Sequence, residues 1–301
     1  MKKYLFIAGF SLLALGAHAQ QFFVKGGLGY SAPQAGQSID GTGTPYNGSA
    51  TNNATGGGIT YNYKSGASFS AGFSGTFGGG YMFNDHVGLE LDVTAGLAPH
   101  HYTGNVNNQV IDSVTYNISI EQYAKTFWLL APQIVVQTGG TLWNLYGRGG
   151  VVLPLNVHLM QEQSFTNLPG NGAVETIVNS YDNTTSFSLG LTAAIGVQYN
   201  LTDNVCLWGE LNMLSMSMNL KQGTLTSETY AGQSVPLSGQ NTSYPYSKNY
   251  NSALAQNSTT TPSYSIPFSN IGIHAGIMYK FDKSIHVNSH ARPSHGRVTE
   301  F

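Results

Sequence analysis

Polar and apolar residues alternate through residues 87–97, VGLELDVTAGL. The odd positions are aliphatic, whereas the even positions are small or acidic and include Glu90 and Asp92. Successive side chains of a β-strand point to opposite faces, so the segment has one apolar face and one polar face. The pattern predicts a strand. It fits a soluble sandwich with the apolar face in a core, and equally a membrane barrel with that face toward lipid.

Similar alternation recurs along the chain. It predicts eight strands over residues 22–30, 66–83, 87–97, 124–136, 142–155, 185–199, 205–218 and 268–281. Segment 124–136 is apolar on both faces, so the pattern assigns it no inner face. The alternation is disturbed after Leu214, where a β-bulge would explain the change of phase.

The connections between the predicted strands are alternately long and short. The long ones are residues 31–65, 99–123, 156–183 and 219–267, and residues 110–120 could extend a hairpin beyond the membrane. Strands of ten or more residues suit a tilted membrane crossing better than a soluble sheet. Because an open edge in lipid would leave backbone groups unpaired, we expect a closed up-and-down barrel.

Composition agrees with this prediction. Only 9% of the residues are charged, against about 25% in ordinary soluble domains, and 12% are aromatic. The body of the chain has no apolar run of about 18 residues, so the sequence predicts no transmembrane helix. Low charge with many aromatic residues also argues against a disordered chain.

The N-terminus predicts export. Lys2 and Lys3 precede an apolar segment that is too short to span a membrane, and residues 17–19, AHA, form a cleavage site. We expect residues 1–19 to be a signal peptide, against the alternative of a short buried helix. The mature chain then has ten basic and fourteen acidic residues, a net charge of −4, which gives no basic patch for nucleic acid. Cys206 is the only cysteine and is predicted to be an apolar strand residue.

Two hairpins and the closing strand suggest a family. Residues 81–92, YMFNDHVGLELD, and 198–212, QYNLTDNVCLWGELN, both run from aromatic through a turn to aliphatic and acidic positions. Residues 271–281, IGIHAGIMYKF, end in alternating aromatics. The sequence resembles the small outer-membrane β-barrel family of Gram-negative bacteria, the OmpA-like and porin-like eight-stranded proteins.

The resemblance implies an all-β transmembrane barrel with eight antiparallel strands, short periplasmic turns and four long extracellular loops. It also implies a location in the cell outer membrane, contact with outer-membrane lipid, and recognition of the strand ending at Phe281 by the barrel-insertion machinery. Residues 20–281 would form the barrel domain. The family usually ends at such a phenylalanine, so residues 282–301 would be a flexible periplasmic tail.

The inward positions of several predicted strands carry ionisable side chains at similar heights. The lumen of an eight-stranded barrel is only wide enough to be filled by its own side chains, and an unpaired buried charge is costly. We therefore expect a lumen polar network of Lys25, Glu90, Asp92, Arg148, Glu210, His274 and Lys280. The network would plug the barrel, or it would act as a gate that opens by exchange of ion-pair partners.

Aromatic residues near strand ends predict the two girdles of a membrane barrel. The predicted set is Tyr30 and Trp128 toward the outer interface, and Tyr81, Phe83, Tyr199, Tyr279 and Phe281 at the periplasmic one, with Phe187 as a further outer candidate.

Candidate chemistry is sparse. His100, His101 and Ser164 are the residues that an outer-leaflet enzyme could use, but no nucleophile, base and orienting acid share one height. His286, His290 and His295 lack zinc-site spacing. The glycines at 78–80 precede no helix, so they predict room for larger lumen neighbours and not a phosphate loop. We expect no enzyme and no cofactor.

The sequence therefore predicts a monomeric membrane anchor that presents four mobile surface loops for adhesion or contact with an unknown surface ligand. The alternative is a porin-like or gated channel for small or apolar solutes, and a minor alternative is a lipid-modifying enzyme of the outer leaflet.

Overall fold

The structure is a computed structural model that describes residues 21–34, 48–52, 59–63, 66–111, 114–167, 175–247, 261–263 and 265–281. The predicted signal peptide, the predicted tail and the three tail histidines lie outside these residues. Within the described ranges, no helix has the length and apolar character needed to cross a membrane.

The described residues form nineteen strands. They are β1 (Gln21–Pro33), β2 (Gly48–Asn52), β3 (Ile59–Tyr63), β4 (Gly72–Met82), β5 (Val87–Pro99), β6 (Tyr102–Ile111), β7 (Val114–Ala124), β8 (Trp128–Gln137), β9 (Trp143–Asn156), β10 (His158–Asn167), β11 (Thr176–Thr185), β12 (Gly190–Asn200), β13 (Val205–Ser215), β14 (Ser217–Tyr230), β15 (Gln233–Ser234), β16 (Ser243–Ser247), β17 (Thr261–Pro262), β18 (Ser265–Pro267) and β19 (Asn270–Lys280).

Eight of these strands close into a barrel in the order β1-β19-β13-β12-β9-β8-β5-β4. All neighbours are antiparallel, and β1 pairs with β4 on one side and with β19 on the other. The predicted eight-stranded up-and-down barrel is thus confirmed. Its short turns have the expected chemistry, since Asn84 Oδ1 accepts hydrogen bonds from the backbone N–H groups of His86 and Val87.

The outer wall of the barrel is apolar. Its exposed side chains include Phe22, Leu28, Phe73, Phe77, Leu89, Leu91, Ile134, Val136, Leu145, Leu191, Ile195, Leu211, Ile273 and Ile277. Such a continuous apolar surface is unfavourable in water and matches the acyl-chain region of a bilayer. In β8, for which the sequence assigned no inner face, Leu129, Ala131 and Val135 are buried while Ile134 and Val136 are exposed.

The second predicted strand, 66–83, is wrong at its start. Strand β4 begins at Gly72, and the preceding residues Ala67, Phe69 and Ala71 are almost completely buried inside the molecule, not exposed to lipid. The sequence alternates in the same way in both parts because an apolar core and a lipid phase accept the same side chains.

The predicted seventh and eighth strands are also shorter in the structure. Strand β13 ends at Ser215, and β14 starts at Ser217 after a break at Met216. Ser269 Oγ bridges this break, accepting from Met216 N at 2.9 Å and donating to Met216 O at 3.0 Å. Strand β19 begins at Asn270, and Phe268 before it is buried beside Phe127.

The four long connections were predicted to be surface loops, and the structure shows β-strands in their described parts. They form a second sheet of eleven strands, here called the extracellular sheet, with the main order β17-β16-β14-β11-β10-β7-β6-β2-β3. Strand β7 pairs with β10, and β11 pairs with β14, so hairpins from different connections are joined edge to edge. The hairpin predicted near residues 110–120 is formed by β6 and β7.

An apolar cluster, here called the outer plug, lies where the barrel meets the extracellular sheet. Its members are Ala67, Phe69, Tyr102, Ala124, Phe127, Leu129, Ala131, Val152, Val157, Leu159, Leu214, Met216, Met218, Leu220, Ile266 and Phe268. Both the barrel strands and the extracellular strands contribute, so the two sheets share one core.

Candidate functional site: the barrel lumen

Five charged side chains meet in the middle of the lumen. Lys25, Glu90, Asp92, Arg148 and Glu210 come from β1, β5, β9 and β13, which are alternate strands of the barrel, and each is at least 93% buried. Alternation places all five on the inner face because their outward neighbours are apolar.

Lys25 and Arg148 both contact the two acids of β5. Lys25 Nζ lies 2.5 Å from Glu90 Oε1 and 3.2 Å from Asp92 Oδ2. Arg148 Nη1 lies 3.0 Å from Glu90 Oε1 and also donates to Asp92 Oδ2. Each β5 carboxylate is therefore shared by two cations, the arrangement that makes burial of charge tolerable.

The third carboxylate is held by Arg148 and by a tyrosine. Arg148 Nε donates to Glu210 Oε2 at 3.0 Å, and its Nη2 donates to Glu210 Oε1. Tyr146 OH donates to Glu210 Oε2 at 2.8 Å. The bidentate contact between Arg148 and Glu210 is the strong, directional form of an arginine–carboxylate pair.

His274 and Lys280 differ from the other predicted members. His274 Nδ1 is 4.0 Å from Glu210 Oε1, and its Nε2 is 3.4 Å from Ser74 Oγ. Lys280 does not reach the network, because its Nζ donates to Asn200 Oδ1 at the periplasmic end, 3.0 Å away. The sequence suggested the wrong height for Lys280, since it lies in the last position of β19.

Inward-facing glycines of the barrel strands provide the space for these contacts. Gly78 on β4 lies level with Lys25 on one side and Asp92 on the other, and a Cβ at Gly78 would overlap Asp92 Oδ1. A Cβ at Gly29 would overlap the ring of His274. The small inward positions are therefore fixed by the large side chains opposite them.

Both ends of the lumen are filled. Toward the periplasm, Phe23, Met82, Cys206, Trp208 and Met278 form an apolar cluster. Asn144 and Gln198 stand beside it, each almost fully buried. The outer plug lies at the other end, so the charged network is enclosed between two layers of side chains.

The predicted girdle residues lie near strand ends. Ring centroids of Tyr81 and Phe83 are 5.5 Å apart, and those of Tyr279 and Phe281 are 5.1 Å apart. At the outer end, Tyr30 and Trp128 are 45% and 46% exposed.

Sequence reasoning missed Phe22 and Trp143, whose rings lie 4.6 Å from those of Tyr81 and Tyr199. Their positions at the starts of β1 and β9 were the available signal. These contacts extend the aromatic positions of the periplasmic end to neighbouring strands.

The residues considered for an enzyme are not brought together. His100 Nε2 is 2.9 Å from Tyr30 OH, and His101 Nδ1 is 2.5 Å from Glu121 Oε1. Ser164 lies level with Ser119, which precedes Tyr123 by four residues in β7, and His101 stacks on Tyr123. At about 3.3 Å per residue the separation is roughly 13 Å.

Inside the barrel, Ser74, His274 and Glu210 resemble a nucleophile, base and acid in order. The 4.0 Å separation of His274 and Glu210 is too long for a hydrogen bond, and the adjoining cavity of about 50 Å³ is too small for a lipid. This cluster therefore has neither the alignment nor the access that acyl transfer requires.

Residues 5–228 match the family described as outer membrane protein beta-barrel domain. The chain is also similar to solved structures of Neisserial surface protein A, with 14% identity, 86% of this chain and 97% of that chain covered, and a TM-score of 0.34. For OprG of Pseudomonas aeruginosa the identity is 14%, the alignment covers 88% of this chain and 98% of that chain, and the TM-score is 0.39. For Ail of Yersinia pestis the identity is 9%, the alignment covers 88% of this chain and 99% of that chain, and the TM-score is 0.28. No curated protein matches the chain.

Proposed function

The chain belongs to the outer membrane protein β-barrel domain family, and from this premise we propose that it is a surface-contact protein. In this proposal the barrel is the anchor in the outer membrane, and the extracellular sheet is the surface that meets a ligand outside the cell.

The observation that carries the proposal is the edge-to-edge pairing of the extracellular strands. Strands β7, β10, β11 and β14 each have ten or more residues and pair along most of their length. At about 3.3 Å per residue, they extend roughly 30 Å. Contact surfaces on such a sheet are held in place before binding, which reduces the entropy lost on association.

The filled lumen argues against a channel as the main role. The outer plug and the periplasmic apolar cluster would both have to be displaced before a solute could pass, and the charged network between them would lose its partners. Each of these steps exposes or unpairs buried groups at considerable cost.

The charge of the extracellular segments restricts the ligand. Their described residues carry two lysines and five carboxylates, which are Glu121, Glu162, Glu175, Asp182 and Glu228. Glu121 and Glu162 are opposite each other on β7 and β10, where like charges repel. This surface favours neutral or basic ligands over polyanions.

The test uses Gram-negative cells that express the full chain or carry an empty vector. Retention under flow is measured on surfaces coated with dextran, poly-lysine or heparin. We expect retention above the vector control on dextran or poly-lysine and none on heparin. Retention no greater than that of the vector control on all three coatings would contradict the proposal.

A matched pair of variants locates the contact. Replacing Glu121 and Glu162 by glutamine removes two charges from the extracellular sheet, and retention on poly-lysine should fall. Asp203→Asn removes a charge from an exposed periplasmic turn and should leave retention unchanged. Equal retention of the two variants on poly-lysine would show that the extracellular sheet is not the contact surface.

A further inference from the structure

A small cavity lies in the lumen beside the charged network. Its volume is about 50 Å³, and its lining includes Asp92, Gln133, Arg148, Asn212 and His274. A water molecule occupies about 30 Å³ of liquid. The cavity is therefore of a size to hold a small ion together with water.

Four buried atoms from residues that line this cavity have no hydrogen-bond partner in the protein. They are Asp92 Oδ1, Gln133 Oε1, Asn212 Oδ1 and His274 Nδ1. The three oxygens can only accept, and so can Nδ1 when Nε2 carries the ring proton and donates to Ser74. Acceptors buried without a donor cost free energy, so an occupant of the cavity that donates hydrogen bonds or carries positive charge would be stabilised there.

The net charge of the surrounding network also favours a cation in the cavity. Lys25 and Arg148 face three carboxylates, Glu90, Asp92 and Glu210. With all five groups ionised and His274 neutral, the network has one excess negative charge. That charge lies in a narrow lumen enclosed by lipid, where uncompensated charge is highly unfavourable.

We propose that this cavity binds one small monovalent cation, of the size and hardness of Na⁺. Carboxylate and amide oxygens suit hard cations, and a single positive charge brings the network to neutrality. A divalent cation would leave an excess positive charge beside Arg148. Asp92 can hold the ion-pair network together and bind the cation at the same time. Its Oδ2 accepts from Gln133 Nε2 and from the Lys25 and Arg148 side chains, while its Oδ1 has no protein partner.

The proposal concerns the lumen and does not depend on the contact surface outside the cell. Its test compares the unfolding of the full mature chain, folded in detergent, in NaCl and in choline chloride at the same ionic strength. Choline is too large for the cavity. If sodium is present at about ten times its dissociation constant, the unfolding equilibrium constant should be about tenfold lower in NaCl.

Two variants separate binding from general stability. Asn212→Leu removes one acceptor without changing charge and should abolish the difference between the two salts. Met278→Ala weakens the periplasmic apolar cluster, which does not line the cavity, so it should lower stability and keep the difference. Broadening of the sodium NMR signal by the folded wild-type protein provides a readout that does not require Asn212→Leu to fold.

Three results would overturn the inference. The first is equal stability of the wild type in sodium and choline salts, as expected if water alone fills the cavity. The second is a sodium effect that persists in Asn212→Leu. The third is stabilisation by acid with no response to sodium, which would mean that a proton neutralises the network.

Discussion

Arg148 on β9 and Glu210 on β13 are joined by two hydrogen bonds although β12 lies between their strands. Neighbouring strands are about 4.8 Å apart, so the pair spans roughly twice that distance. Gly196 of β12, level with Glu210, has no side chain, and a Cβ there would overlap the Tyr146 phenol that also donates to Glu210. The same guanidinium reaches Glu90 and Asp92 on the other side, so one residue connects three carboxylates.

Arg148→Ala should destabilise the folded barrel by about 3–5 kcal/mol, because three buried carboxylates lose a shared cation. The measurement is denaturant unfolding in detergent micelles. Lys221→Ala is the control, since Lys221 is an exposed cation of β14, and it should change stability little. A small effect of Arg148→Ala would mean that the network contributes little to holding the barrel together.

Neither the wild type nor Arg148→Ala should conduct ions in planar bilayers. The apolar cluster at the periplasmic end and the outer plug remain in place when the arginine is removed. Stepwise conductance in the variant alone would show that the ion pairs form a gate, and conductance in the wild type would favour the channel alternative.

Gly29→Ala should destabilise the barrel by about 1–3 kcal/mol through overpacking, because the added methyl group would overlap the His274 ring. Gly26 on the same strand provides the comparison. An added Cβ there would have only Thr76 O nearby, at 4.0 Å, so Gly26→Ala should be tolerated. Thermal unfolding of both variants in detergent measures the difference, and equal effects would refute the packing argument.

Phe69→Ala should cost about 3–5 kcal/mol, because Phe69 is fully buried in the outer plug. Phe73→Ala, four residues later, removes a ring that is 58% exposed on the barrel wall and should cost less. Equilibrium unfolding in urea checks both values. The reverse order would contradict the placement of Phe69 in the outer plug.

Tyr102 should make stability fall at alkaline pH. It lies in the extracellular sheet, its OH donates to Ser68 O at 2.8 Å, and burial raises the pKa of its phenol above the ordinary value of about 10. The unfolded chain then loses this proton more readily than the folded one, so stability is retained below about pH 10 and declines above it.

In Tyr102→Phe the alkaline decline should be shallower than in the wild type, although neutral stability drops by about 1 kcal/mol with the lost hydrogen bond. Unfolding measured across this pH range checks the slope. Identical slopes would mean that the phenol does not contribute.

Alternation of side chains made the barrel predictable, and it placed Glu90, Asp92, Arg148 and Glu210 on the inner face. It could not separate the outer plug from the barrel wall, because Phe69 would satisfy either environment. The side-chain pattern shows which face of the barrel wall a residue occupies, but not its position along the barrel axis. Lys280 was therefore predicted at the wrong level of the lumen.

The extracellular sheet was not predictable for a different reason. Strands β10 and β11 carry polar residues on both faces and are partly exposed on both. Their sequences therefore show no alternation of polar and apolar residues from which a strand could be predicted. Their order comes from pairing between hairpins that are distant in sequence, such as β7 with β10. Nothing in either segment alone indicates that partner.

The four charged strands of the lumen are the first, third, fifth and seventh of the barrel in chain order. A chain that has inserted only its first four barrel strands contains the acids of β5 and the ammonium of β1, but neither Arg148 nor Glu210. Arg148 and Glu210 belong to β9 and β13, so the full set of ion pairs forms only when these later strands have joined. An incomplete wall would therefore present unpaired charges to the bilayer, which disfavours its insertion before the later strands have joined.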